Sequence, residues 1–240
     1  MKIFPAIDLF EGKAVRLYKG DYSKLTVYSE NPPEVAVRFN QEGATNLHLV
    51  DLEGAKYGTT PNIEVVKDIR KAFCGFIELG GGIRTMDVID RYIDAGVDRV
   101  ILGTAAVTDR ALLTSAIEKY GEKIAVGVDM RGGKVAINGW CEETELDAID
   151  FCVELESLGV KTVICTDISR DGAMQGTNRD LYARLSSVVN INIVASGGVS
   201  TLADVQALAE GKIYGAIIGK AYYTGAVSLS EAVRIAENDN

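Results

Sequence analysis

Two aspartates, Asp8 and Asp129, each close a short apolar run and are each followed five residues later by a lysine: Asp8-Leu-Phe-Glu-Gly-Lys13 and Asp129-Met-Arg-Gly-Gly-Lys134. A carboxylate ending a buried strand suits proton transfer. Two of them can divide the acid and base roles if their surroundings separate their pKa values. Aspartate also favours turns, so each could instead cap the loop behind it. Thr166 ends another apolar run where the first half has Val50, and its hydroxyl is placed to orient a catalytic carboxylate. Asp171-Gly172 follows in a long loop, from which a mobile carboxylate could swing onto a substrate. Trp140, the only tryptophan, falls in a loop after Asp129. It suits stacking on a flat heteroaromatic ring, or anchoring its loop to a rim. His48, the only histidine, sits inside an apolar run and reads as a satisfied core residue.

Glycine pairs supply the second kind of chemistry. Gly81-Gly82, Gly103-Thr104, Gly197-Gly198 and Gly219-Lys220 each follow an apolar run and precede a helical pattern. Glycine lets backbone N–H groups approach an anion closely, and a helix start adds unpaired donors and a positive dipole end. One such pair could simply make a tight turn. Four of them, two in each half, predict two opposed phosphate cradles, with Arg84 and Lys220 adding charge. Asp51 and Asp167 also end apolar runs, which raises a divalent-cation site. The spacing matches no standard ligand set, so neither metal nor cofactor is expected.

The elements that must hold these residues form an orderly series. Apolar runs at 3–8, 46–51, 76–80, 99–103, 124–129, 161–166, 192–196 and 215–219 predict strands. Helical patterns begin near Pro33, Asn62, Thr85, Thr108, Glu143, Arg179, Thr201 and Ser228. Strands apolar on both faces indicate a parallel sheet, and eight strand–helix units in this length predict a single closed (β/α)8 TIM barrel over residues 1–240. The Asp8, Gly81, Gly103 and Asp51 segments recur around Asp129, Gly197, Gly219 and Asp167 at nearly constant separation. Two fused half-barrels, about 1–122 and 123–240, are therefore expected.

Composition excludes several classes of function. The chain has 240 residues, 47% of them hydrophobic, and a formal charge of −9, which argues against nucleic acid or acidic membranes as partners. No apolar run reaches a membrane span. The first residues enter a strand-like run without a signal peptide, and the four cysteines form no C-x-x-C pair. A cytoplasmic monomer with reduced thiols, acting on a small molecule with two phosphates, is expected.

Several segments carry a closer resemblance. These are 5–20 (Pro-Ala-Ile-Asp-Leu-Phe-Glu-Gly-Lys-Ala-Val-Arg-Leu-Tyr-Lys-Gly), Gly80-Gly-Gly-Ile-Arg84, Val128-Asp-Met-Arg-Gly-Gly-Lys134, Asn138-Gly-Trp140, Thr166-Asp-Ile-Ser-Arg-Asp-Gly172, Ser196-Gly-Gly198 and Gly219-Lys-Ala221. Together they resemble the phosphoribosylformimino-5-aminoimidazole carboxamide ribotide isomerases of histidine biosynthesis. The likeness spans essentially the whole chain. It implies an Amadori rearrangement of a bisphosphorylated aminoaldose (ProFAR) to an aminoketose (PRFAR), with Asp8 as base, Asp129 as first choice of acid, Asp171 as its rival, and Thr166 assisting. The same likeness puts Arg16, Gly172 and Ser196 among the substrate-binding residues. Alternatives are the sister cyclase of the pathway, which resembles this chain less at the opening, an isomerase also accepting phosphoribosylanthranilate, and a non-catalytic bisphosphate-binding barrel.

Overall fold

The computed structural model describes residues 1–18 and 20–238; Lys19, within the opening segment quoted above, and residues 239–240 lie outside the described residues. Eight parallel strands make the barrel: β1 (Lys2–Phe10), β2 (Asn46–Asp51), β3 (Phe76–Gly80), β4 (Arg99–Leu102), β5 (Ile124–Arg131), β6 (Thr162–Asp167), β7 (Asn192–Ser196) and β8 (Gly215–Ile218). Each pairs with its neighbours in chain order, and β8 pairs with β1, so the sheet has no open edge. The β5–β6 ladder, with Asp129 opposite Thr166, joins the two halves.

Eight helices cover the outside: α1 (Pro32–Gln41), α2 (Ile63–Ala72), α3 (Met86–Asp94), α4 (Arg110–Tyr120), α5 (Ala148–Ser157), α6 (Arg179–Val188), α7 (Leu202–Glu210) and α8 (Leu229–Asn238). The starts of α3 to α7 follow side-chain capping of orphan amides. Thr85 accepts from Val88 N, and Thr201 and Asp204 form a reciprocal capping box at α7. The α4 cap is Asp109 rather than Thr108, which belongs to a separate short helix, Thr104–Thr108.

The helix expected near Glu143 begins instead at Ala148, capped by Asp147, because Glu142–Asp147 is a strand. It pairs antiparallel with Lys134–Ile137, which itself pairs with the end of β5. An acidic run has little intrinsic strand preference, but the neighbouring edge and the Arg131–Glu143 ion pair (3.1 Å) recruit it. The first half carries the matching device. Lys13–Tyr18 folds back on β1 and pairs with Asp21–Ser29. Both halves thus add a β-ribbon after their first strand, which supports the internal repeat.

Closure divides the core into two. Ile7, Leu9, Leu47, Leu49, Val126 and Val128 face outward and pack with the inner faces of the helices. Phe4, Ala6, Ile101, Ala125, Ile164, Val194 and Ile217 form a small apolar cluster of their own that fills the barrel. Successive side chains of a strand alternate between the two faces. Phe4 and Ala6 therefore lead to an inward Asp8, Ala125 and Gly127 to an inward Asp129, and Ile164 to an inward Thr166.

One layer of the interior is polar. Glu78 on β3, fully buried, lies against His48 Nδ1 at 2.7 Å and accepts from Arg99 Nε at 3.0 Å and from Arg99 Nη2. Arg99 also donates to Thr162 Oγ1 across the barrel at 3.2 Å and stands over the Phe76 ring at 5.0 Å. Burial opposes ionisation of Glu78, but hydrogen bonding and charge from His48 and Arg99 outweigh it and hold the carboxyl below its ordinary range. Removing one partner of such a pair strands a buried charge. Arg99→Met should therefore lower the unfolding free energy by about 3–5 kcal/mol, read as a lower urea midpoint.

Candidate active site

The C-terminal ends of the strands open into a pocket of about 260 Å³. All the residues picked out from the sequence line it: Asp8, Arg16, Gly81, Gly82, Arg84, Gly103, Thr104, Asp129, Trp140, Thr166, Asp171, Gly172, Ser196, Gly197, Gly198, Gly219 and Lys220. Asp8 and Asp129 stand on opposite strands of the eight. Asp8 is 8% exposed and accepts from Arg16 Nη1 at 2.7 Å. That arginine reaches in from the ribbon strand Lys13–Tyr18.

Burial raises the Asp129 carboxyl above its ordinary value; hydrogen bonds from Thr166 and Trp140 work against that rise. The Thr166 hydroxyl therefore contacts the carboxylate it was expected to orient. The indole of Trp140 lines the pocket and packs against Gly20 of the first ribbon, where an added Cβ would lie 2.7 Å from the ring, as expected of a loop anchor. Asn138, Gly139 and Trp140 all have positive φ (55°, 64° and 69°). Two of these are strained for residues bearing a Cβ. The Asn138 N–H donates to Thr104 Oγ1 at 2.8 Å and ties this loop to the end of β4.

Asp171 lies in the loop after β6 and is pushed up to about 6. Burial is the largest cause; Arg16 opposes it, the carboxylates of Asp8 and Asp129 reinforce it, and Lys220 opposes it. Lys220 donates to the Gly172 carbonyl at 2.9 Å and stands 5.4 Å from the Tyr18 ring centre, linking the β6 loop, the β8 turn and the first ribbon.

The glycine motifs occupy matched positions on opposite sides of the mouth. Gly81 and Gly82 have φ of 111° and 72°, Gly197 and Gly198 of 89° and 85°. Their backbones also lie so close to the loops after β2 and β6 that a Cβ on Gly82 would collide with the Gly54 carbonyl, and one on Gly198 with that of Gly176. Gly103 and Gly219 share an unusual conformation (φ −99°, ψ −103° and φ −105°, ψ −102°) at the starts of short helices. Tight turning and close backbone approach thus coexist at these glycines. Arg84, on the exposed side of the first cradle, donates to Ala55 O at 3.3 Å.

Asp51 and Asp167, considered above as metal ligands, are engaged by protein donors. Asp51 accepts from Gly54 N, Asn62 Nδ2 and Tyr92 OH at 2.8–2.9 Å. Asp167 accepts from Ser169 and from Asn178 Nδ2 (2.7 Å). Among the described residues, three or more His, Cys, Asp or Glu never gather as a candidate metal site. His48, read from sequence as a core residue, also lines the pocket. Its position two residues before Val50, another lining residue, was the legible signal. Tyr22 lines the pocket too, and only its place on the ribbon puts it there.

Fold and pocket together define a (β/α)8-barrel enzyme with its site at the C-terminal mouth. The chain belongs to the histidine biosynthesis protein family, whose model matches residues 2–228. It is 46% identical to a Clostridium botulinum (strain Langeland) protein over 240 residues, covering 100% of this chain and 99% of the relative. An Oceanobacillus iheyensis relative is 51% identical over 231 residues, 96% of each chain. One from Lactococcus lactis subsp. cremoris is 50% identical, covering 100% of this chain and 98% of the relative. All three are named 1-(5-phosphoribosyl)-5-((5-phosphoribosylamino)methylideneamino)imidazole-4-carboxamide isomerase. Among the described residues, no helix is long and apolar enough to cross a membrane.

The raised carboxyl of Asp171 has a consequence for stability. The unfolded chain releases this proton near the ordinary value of 3.8, whereas the folded chain holds it until about pH 6. Stability is therefore greatest from this group below 3.8 and falls as pH rises through about 6. Asp171→Asn should stabilise the protein at pH 7, and the gain should shrink as pH falls from 6 toward 4 in thermal melts.

Proposed function

We propose that this chain isomerises the bisphosphorylated aminoaldose named in its relatives to the corresponding aminoketose, an Amadori rearrangement. The observation that carries this reading is one mouth with glycine cradles on two opposite sides and three carboxylates between them. A ligand with a phosphate at each end spans that distance and brings its central ribose onto the carboxylates. Gly81-Gly82 with Gly103-Thr104 hold one phosphate, and Gly197-Gly198 with Gly219-Lys220 the other, through backbone N–H groups. Ser196 and Gly172 complete the second side, and the Trp140 indole stacks on the flat imidazole.

A general acid first protonates the ribose ring oxygen. The C1–O bond breaks, and the lone pair of the exocyclic nitrogen forms a C1=N double bond. Asp8 then takes the C2 proton. The C2–H electron pair becomes the C1=C2 bond, and the C=N π pair returns to nitrogen. Tautomerisation of the enolamine, with proton loss from the C2 hydroxyl and proton gain at C1, delivers the ketose with no net loss of atoms. Asp171 suits the acid role because a carboxyl at about 6 still carries a proton in part of the molecules near neutral pH. Asp129, the first expectation for that role, is held by Thr166 and Trp140. Its charge raises the proton affinity of Asp171 and steadies the cationic imine.

The test is turnover of the bisphosphorylated aminoaldose without ammonia. Wild type should form the ketose, and Asp8→Asn should lose about 10²–10⁴-fold in kcat. Asp171→Asn should fall as far, and Asp129→Asn less. A wild-type protein that binds the aminoaldose and leaves it unchanged overturns the reading.

A further inference from the structure

The two cradles differ in what stands over their second glycine turn. Gly103 and Gly219 share a backbone conformation, but the space over Gly103 is open, with nothing within 4 Å of an added Cβ. Over Gly219 the guanidinium of Arg16 stands where the Cβ would be. The second half has no equivalent cation: three residues beyond Lys13 stands Arg16, and three beyond Lys134 stands Ile137. The same guanidinium donates to Asp8 Oδ1 at 2.7 Å, with its side chain only 16% exposed. One cation thus sits in the turn proposed to receive a phosphate while it pairs with the carboxylate proposed as base.

We infer that Arg16 couples phosphate capture to release of the base, a step that rests on the isomerase reading above. A phosphate entering the Gly219 turn carries up to two negative charges and oxygens spaced for the guanidinium fork, against the single charge of Asp8. It draws Arg16 off Asp8. Once free, Asp8 Oδ1 no longer accepts from the guanidinium and is open to the C2 hydrogen. Asp8 then takes the C2 proton only when the substrate phosphate is seated. Binding energy at a remote group is in this way converted to reactivity at the ribose. Without a phosphate, the base stays paired and the pocket is guarded against unproductive proton abstraction.

Coupling of this kind is reciprocal: whatever loosens the Asp8–Arg16 pair must tighten phosphate. The experiment is a double-mutant cycle, in which inorganic phosphate is titrated by calorimetry into wild type, Asp8→Asn, Arg16→Gln and the double variant. The open Gly103 turn contributes alike to all four. Asp8→Asn should tighten phosphate by about 5–150-fold, the usual range of coupling between sites. The same substitution in the Arg16→Gln background should give no such gain. An equal gain in both backgrounds would mean simple repulsion between Asp8 and phosphate, and no gain in either would mean no competition; each outcome overturns the inference. Arg16→Met, which likewise removes the charge, replaces Arg16→Gln if the latter fails to fold. Wild-type turnover of the full aminoaldose, measured alongside, separates the two claims. Turnover without coupling defeats the Arg16 inference alone, and coupling without turnover defeats the isomerase reading.

Discussion

A parallel sheet closed on itself leaves each strand one inward residue in two, and that alternation governs everything at the mouth of this barrel. Beyond the apolar interior formed by Phe4, Ala6, Ile101, Ala125 and Ile164, inward positions toward the C-terminal end are Asp8, Asp129 (one step past Gly127) and Thr166. A shift of one residue in any of these ladders would turn the carboxylate outward toward the helices. The β5–β6 register that sets Asp129 beside Thr166 is thus a condition for the chemistry as well as for closure.

Three carboxylates within one pocket repel one another, and the fold answers that repulsion differently for each. Asp8 faces a guanidinium, Asp129 a hydroxyl and an indole N–H, and Asp171 is left with more distant cations. Burial is the largest contribution at Asp129 and Asp171 and raises both carboxyls above their ordinary value, against different balances of hydrogen bonds and charge. The Glu78–Arg99–His48 layer below is electrostatically closed by comparison, because each charge there has a direct partner. Bonds run from β2 to β3, from β3 to β4 and from β4 to β6, which keeps the floor of the pocket rigid.

The motifs that recur in the two halves of the sequence match the paired glycine turns and also show where pairing ends. The ribbons after β1 and β5, the matched glycine conformations and the engaged aspartates at 51 and 167 all follow the repeat. Arg16, Thr166 and Trp140 depart from it. The mouth is therefore symmetric at its glycine turns and asymmetric between them.

The eight-strand order, the half-barrel repeat and every pocket residue selected above were legible in the sequence, because apolar periodicity and glycine spacing are local properties that survive folding. The Glu142–Asp147 strand was not legible, since its conformation comes from a partner edge rather than from its own side chains. Nor were the His48–Glu78 contact, the Arg16–Asp8 contact, or the surroundings that separate Asp129 from Asp171. Each depends on which groups from distant segments share a low-dielectric space, and a carboxylate carries no mark of its future neighbours. The sequence by itself determined that acids and anion cradles meet at one end of a barrel. Tertiary structure alone decided which acid keeps its proton, because desolvation and neighbouring charge exist only once the strands have closed.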